Sequence, residues 1–144
     1  MEERDMGKIA VVYWSGTGNT EAMAEAVADG ARGSGGEAEA IRVSEFSADK
    51  VADYDAFAFG CPAMGSEELE DSEFQPVWDE VKGELGDKRA VLFGSYEWAE
   101  GEWMDNWKAD AEEAGVNVVD TLINYGAPDD EGKANCRALG AKLG

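Results

Sequence analysis

The sequence predicts an α/β fold, with a parallel sheet covered by helices on both faces. Three observations predict it. Short runs rich in β-branched and aromatic residues recur along the 144 residues. Stretches of high helix propensity fall between them. A loop of glycines and small polar residues joins the first run directly to the first helix.

The elements follow in order. Residues 8–14, KIAVVYW, read as a buried strand. The loop from Ser15 to Thr20, SGTGNT, comes next. In the helix expected over 20–32, Met23, Val27 and Ala31 recur at a spacing of four and give one apolar face. Gly-Ser-Gly-Gly at 33–36 ends it. A second strand falls near 38–43, with a weak helical stretch behind it. The third strand is 55–61, DAFAFGC, and PAMGSEELEDSE is a loop. A helix is expected over 73–85 despite Pro76, which lies in the first turn, where proline is tolerated. Residues 89–95, RAVLFGS, form the fourth strand, and YEWAEGEW another loop. A helix over 104–114 has Trp103 just before it and Trp107 four residues on, on the same side. The fifth strand spans 116–123, and a closing helix 129–143. Residues 1–7 are polar and expected to fray, leaving 8–144 as one domain.

Composition narrows the function. There is no histidine, which removes Ser-His-Asp and Cys-His catalysis and histidine-ligated metals together. Cys61 and Cys136 form no C-x-x-C pair and read as reduced thiols filling apolar space. The net charge of −20, from 12 basic and 32 acidic residues, repels phosphate backbones and anionic lipid. It attracts basic protein surfaces, or serves solubility alone. No apolar run reaches the ~20 residues of a membrane span. The first residues lack an apolar leader core, so the expected location is cytoplasmic.

The first loop carries the most information. Ser15, Gly16, Thr17, Gly18, Asn19 and Thr20 offer three hydroxyls, one amide and a series of backbone N–H groups at a helix N-terminus. That is an anion site, and its glycines let the backbone wrap a phosphate. A Walker A loop needs a lysine, which is missing here. The dinucleotide fingerprint needs a glycine where Glu21 stands. What remains is a loop that holds a phosphate with neutral donors. Two further loops follow strand ends, where open α/β sheets bind ligands. One is Cys61-Pro62-Ala63-Met64-Gly65-Ser66-Glu67, the other Gly94-Ser95-Tyr96-Glu97-Trp98-Ala99. Met64, Tyr96 and Trp98 suit the faces of a flat ring.

Y-W-S-G-T-G-N-T, G-C-x-A-M-G and G-S-Y-x-W resemble the three FMN loops of flavodoxins, in the short-chain clostridial pattern. The resemblance runs over nearly the whole chain from Lys8. It implies a flavodoxin-like three-layer sandwich, with a five-stranded parallel sheet in the order 2-1-3-4-5. It implies one-electron transfer by FMN, mainly between neutral semiquinone and anionic hydroquinone at low potential. Ser15, Thr17, Asn19 and Thr20 would hold the phosphate, with Gly16 and Gly18 shaping the loop. Met64 and Trp98 would cover the two flavin faces. The peptide between Met64 and Gly65 would flip so that its carbonyl accepts from flavin N5–H, and Glu67 would accept from N3–H. Pro62, Ala63, Ser95, Tyr96 and Glu97 complete the expected site. The acidic loop residues Glu67, Glu68, Glu70, Asp71 and Glu73 either lower the second potential or form a solvated face. Pro62, Glu97 and Gly126 depart from the family pattern, and altered potentials are expected from them. Partners would be redox proteins with basic docking surfaces, and a monomer is the simplest expectation.

Other readings stay open on residues alone. A quinone or azo reductase would need a nicotinamide pocket or a dimer interface. A dedicated partner of one metalloenzyme would react fast with oxygen when reduced. A phosphorylation-controlled receiver would need an aspartate where the third strand ends in Cys61.

Overall fold

The computed structural model describes residues 8–16, 18–63, 70, 72–96 and 101–143. Hydrophobic continuity sorts the strands before topology does. β1 (Lys8–Tyr13), β3 (Ala56–Gly60) and β4 (Arg89–Tyr96) are almost wholly buried, whereas β2 (Glu37–Arg42) and β5 (Asn117–Tyr125) are largely half-buried or exposed. The first three therefore need cover on both faces and belong in the middle. The sheet order is β2-β1-β3-β4-β5, all parallel, as expected.

Alternation along each central strand supplies two cores. Ile9, Val11 and Tyr13 face α1 (Asn19–Gly33) and α4 (Asp130–Ala141). Ala10 and Val12 face α2 (Phe74–Val81) and α3 (Glu102–Glu113). On that second side Phe59, Trp78, Trp107 and Phe74 form a chain of edge-on rings with centroids 5.2 to 5.7 Å apart. Each such pair adds about 0.5–1.5 kcal/mol beyond the burial of its area. On the first side the backbones of α1 and α4 touch. A Cβ on Gly30 would stand 1.9 Å from the Arg137 carbonyl oxygen, and one on Gly140 would stand 1.9 Å from that of Val27.

The weak helical stretch after β2 is a pair of 3-10 turns, Val43–Glu45 and Ala48–Asp53. Val43, Phe46 and Val51 are buried there, so side-chain anchoring sets its path. α2 is shorter than expected and tightens into a 3-10 turn at Lys82–Glu84, where Gly83 disfavours an α-helix. α3 starts two residues earlier than expected, so Trp103 lies inside it. Gly101, at φ +94°, sets that start. Among the described residues no helix is long and apolar enough to cross a membrane.

Candidate functional site

The carboxyl ends of β1, β3 and β4 lie side by side, and their loops are tied together by short bonds. Trp14 N–H donates to the Gly60 carbonyl at 3.0 Å. Past the end of β3, Cys61 N–H donates to Phe93 O at 3.1 Å and Ala63 N–H to Ser95 O at 3.0 Å. The loop after β3 thus extends the ladder along β4. Gly94 permits this, because a Cβ there would stand 2.1 Å from the Cys61 carbonyl oxygen. Trp103 Nε1 donates to that same oxygen at 3.3 Å, tying α3 to the junction.

The first loop is held from within. Ser15 Oγ accepts the N–H of Gly18 at 3.0 Å and of Glu21 at 3.3 Å. That occupies the oxygen and leaves its proton to donate. Gly18, at φ +98°, turns the chain into α1. Gly16 sits against the Trp14 indole, which a Cβ would approach to 3.0 Å. Thr20 Oγ1 and Ser95 Oγ are 3.0 Å apart and both buried. One hydroxyl donates to the other, so the pair keeps one further O–H to offer. This buried pair joins the first and third loops. Replacing Thr20 with valine strands the Ser95 hydroxyl, and a loss of about 1–3 kcal/mol is expected in urea unfolding. An unchanged midpoint would mean that Ser95 finds another partner.

The expected site residues therefore divide. Ser15, Gly16, Gly18, Asn19, Thr20, Pro62, Ala63, Ser95 and Tyr96 stand at this edge of the sheet. Thr17, Met64, Gly65, Glu67, Glu97 and Trp98 lie outside the described residues. Tyr96 packs between Trp103 and Tyr125, at 5.9 and 5.5 Å between ring centroids. Gly126 has φ +67°, and its N–H donates to Tyr96 O at 2.8 Å. Both thiols are buried and free of disulfide. Burial pushes the Cys61 thiol far up and that of Cys136 up to about 11, so neither supplies a thiolate at neutral pH.

The hydroxyls, the helix N-terminus and a loop shaped by glycines suit a phosphate ester bound without a cation. The flavodoxin family model matches residues 11–140, a span that takes in all three loops. The chain belongs to the flavodoxin family. A flavodoxin of Megasphaera elsdenii is 45% identical over 132 residues, covering 92% of this chain and 95% of that protein. One from Clostridium beijerinckii is 41% identical over 133 residues, covering 92% and 96%. The solution structure of two-electron reduced Megasphaera elsdenii flavodoxin superposes with a TM-score of 0.86 at 44% identity, covering 94% and 97%. As a flavodoxin, the chain is an FMN electron-transfer protein, and it passes electrons to redox partners.

Two residues of this flavodoxin have roles that sequence reasoning missed. Glu70 is 5% exposed, not solvated. Its carboxylate accepts the N–H groups of Ser72, Glu73 and Phe74 at 2.8 to 2.9 Å and also the Ser72 hydroxyl. It thereby caps α2 from outside the helix. Burial would raise its pKa, but those four donors outweigh it and hold the carboxyl below the usual range. Glu73 accepts from Trp14 Nε1 at 2.9 Å, linking the first loop to the start of α2. Glu67, Glu68 and Asp71 lie outside the described residues. A glutamate is an unusual helix cap, so no sequence rule singles out Glu70.

Proposed function

We propose that residues 8–144 work as one FMN-binding unit that shuttles single electrons between protein partners and turns over no substrate of its own. The observation that carries this reading is the buried Thr20–Ser95 hydroxyl pair, which draws the first and third loops onto one edge of the sheet. Ser15, Thr17, Asn19 and Thr20 would hold the phosphate, with the backbone of Gly16 and Gly18 close around it. Ala63, Met64 and Trp98 would flank the ring and exclude water. Gly65 would leave the peptide before it free to reorient. Glu67, Ser95, Tyr96 and Glu97 would address the polar edge, and Pro62 fixes the entry to that loop. Bound FMN would supply a ring that takes up and releases electrons one at a time. Carboxylates near the site would disfavour added negative charge there, each by about 0.4 kcal/mol at ~10 Å in water.

An anaerobic dithionite titration of the FMN-loaded protein tests this. The expected result is reduction in two resolved one-electron stages, with a broad long-wavelength band that rises and falls around half reduction. Direct passage to the two-electron form would favour a hydride-using flavoenzyme instead. Failure to retain FMN would sink the reading.

A further inference from the structure

Among the described residues, the exposed large hydrophobic side chains are Val119, Ile123 and Tyr125, at 40%, 37% and 69% of full exposure. All three lie on β5, an edge strand of the sheet. Ile123 and Tyr125 are two apart and share one face. Contacts identify that face. Ile123 Cδ1 lies 3.1 Å from where a Gly101 Cβ would stand, at the start of α3. The Tyr125 ring meets Tyr96 edge-on at 5.5 Å. The patch therefore adjoins Tyr96, the last residue of β4, and Gly101 at the start of α3, near the edge of the sheet where the carboxyl ends of β1, β3 and β4 lie.

Its border with α3 is acidic. α3 opens with Glu102 and Asp105 in its first turn, directly after Gly101. α4 opens with Asp129 as its cap, then Asp130 and Glu131. That helix packs on the opposite face of β5, where Leu122 joins its core and Asn124 Oδ1 lies 2.6 Å from where a Gly132 Cβ would stand, so its carboxylates add to the net negative charge without lining the patch. An apolar centre bordered by carboxylates calls for a partner with the opposite pattern. A second copy of this chain is a poor occupant, since its net charge of −20 would face the same charge.

We propose that Ile123 and Tyr125 form the centre of a docking surface for a basic redox protein, one that presents a flat apolar patch ringed by lysine or arginine. This rests on the electron-carrier reading and adds to it the place of contact. The tyrosine ring offers apolar area at low entropic cost and a face for an arginine. The carboxylates at the border speed and orient the encounter, and the apolar centre holds it.

The probe is a basic c-type cytochrome. In stopped flow, one electron leaves the dithionite-reduced, FMN-loaded protein and converts ferric haem to ferrous. Tyr125→Ser should lower the second-order rate constant roughly tenfold, the scale of one interfacial aromatic. Ile123→Ser should lower it about threefold, and Val119→Ser should leave it unchanged. All rates should fall with added salt, along a slope these neutral changes do not alter. Separately, adding oxidised cytochrome to the oxidised 15N-labelled protein should shift the amides of residues 122–126 and 101–105. Unchanged rates in both variants, or shifts gathered on the β2 edge instead, would overturn the proposal. So would sedimentation as a dimer that Tyr125→Ser dissolves, which would make a second copy the occupant. If Tyr125→Ser loses FMN, Ile123→Ser and the shift map decide. If the wild-type protein takes up no FMN, the carrier reading fails and the shift map alone decides the docking face.

Discussion

Replacing Gly94 with alanine is expected to cost at least about 3 kcal/mol of stability and to abolish retention of FMN. The new methyl would stand 2.1 Å from the Cys61 carbonyl oxygen and 3.2 Å from the Trp103 ring. Neither can retreat cheaply. Cys61 and Ala63 are fixed by their N–H bonds to Phe93 and Ser95, on either side of Gly94. Trp103 is 1% exposed and donates to that same carbonyl. Relief requires pushing the loop after β3 away from β4, which opens the arrangement that brings the loops together. Denaturant midpoints and FMN retention after desalting would check this. Gly83→Ala is the control, because nothing lies within 4 Å of its would-be Cβ. That change should leave stability near wild type. Equal midpoints for the two variants would refute the close approach of backbone at Gly94.

Replacing Glu70 with glutamine should cost about 1.5–3 kcal/mol, the scale of hydrogen bonds to a charged acceptor. It should also reshape acid unfolding. In the folded chain the carboxyl ionises below its usual range, while in the unfolded chain it returns to about 4.3. The unfolded state therefore binds the proton more readily. Stability from Glu70 is complete above the unfolded value and is lost as pH falls through the folded one. The wild-type protein should weaken from about pH 4 downward, and the glutamine variant should lose less over the same interval. Parallel stability curves for the two proteins would mean that the carboxylate is not the cap. The sequence places Glu70 among acidic neighbours, and only the fold separates it from them.

Much of the fold was legible because the central strands are uniformly apolar and the helices between them have one apolar face. Residues 8–14 and 89–95 read as buried strands, and β1 and β4 lie within one residue of those bounds. The flavodoxin loops were legible for a different reason: their glycines and hydroxyls are local in sequence. What escaped was decided at a distance. The path of residues 43–53 depends on Phe46 meeting Tyr54 and Phe57, at 6.1 and 6.3 Å between centroids. The bond from Trp14 to Glu73 joins two segments that no pattern connects. β5 runs past the expected residue 123 to Tyr125 and carries a register shift opposite Ala90/Val91. The partners of Ser95 and Thr20 were likewise invisible, although both residues were singled out.

The contact of α1 with α4 through Gly30 and Gly140 bears on how the protein comes into being. α1 begins within the first loop, and its inner face is closed in part by a helix synthesised well after it. The ribosome must release α4 before the first loop has its full support. A chain stalled before α4 would carry the first loop without the helix that supports α1 behind it.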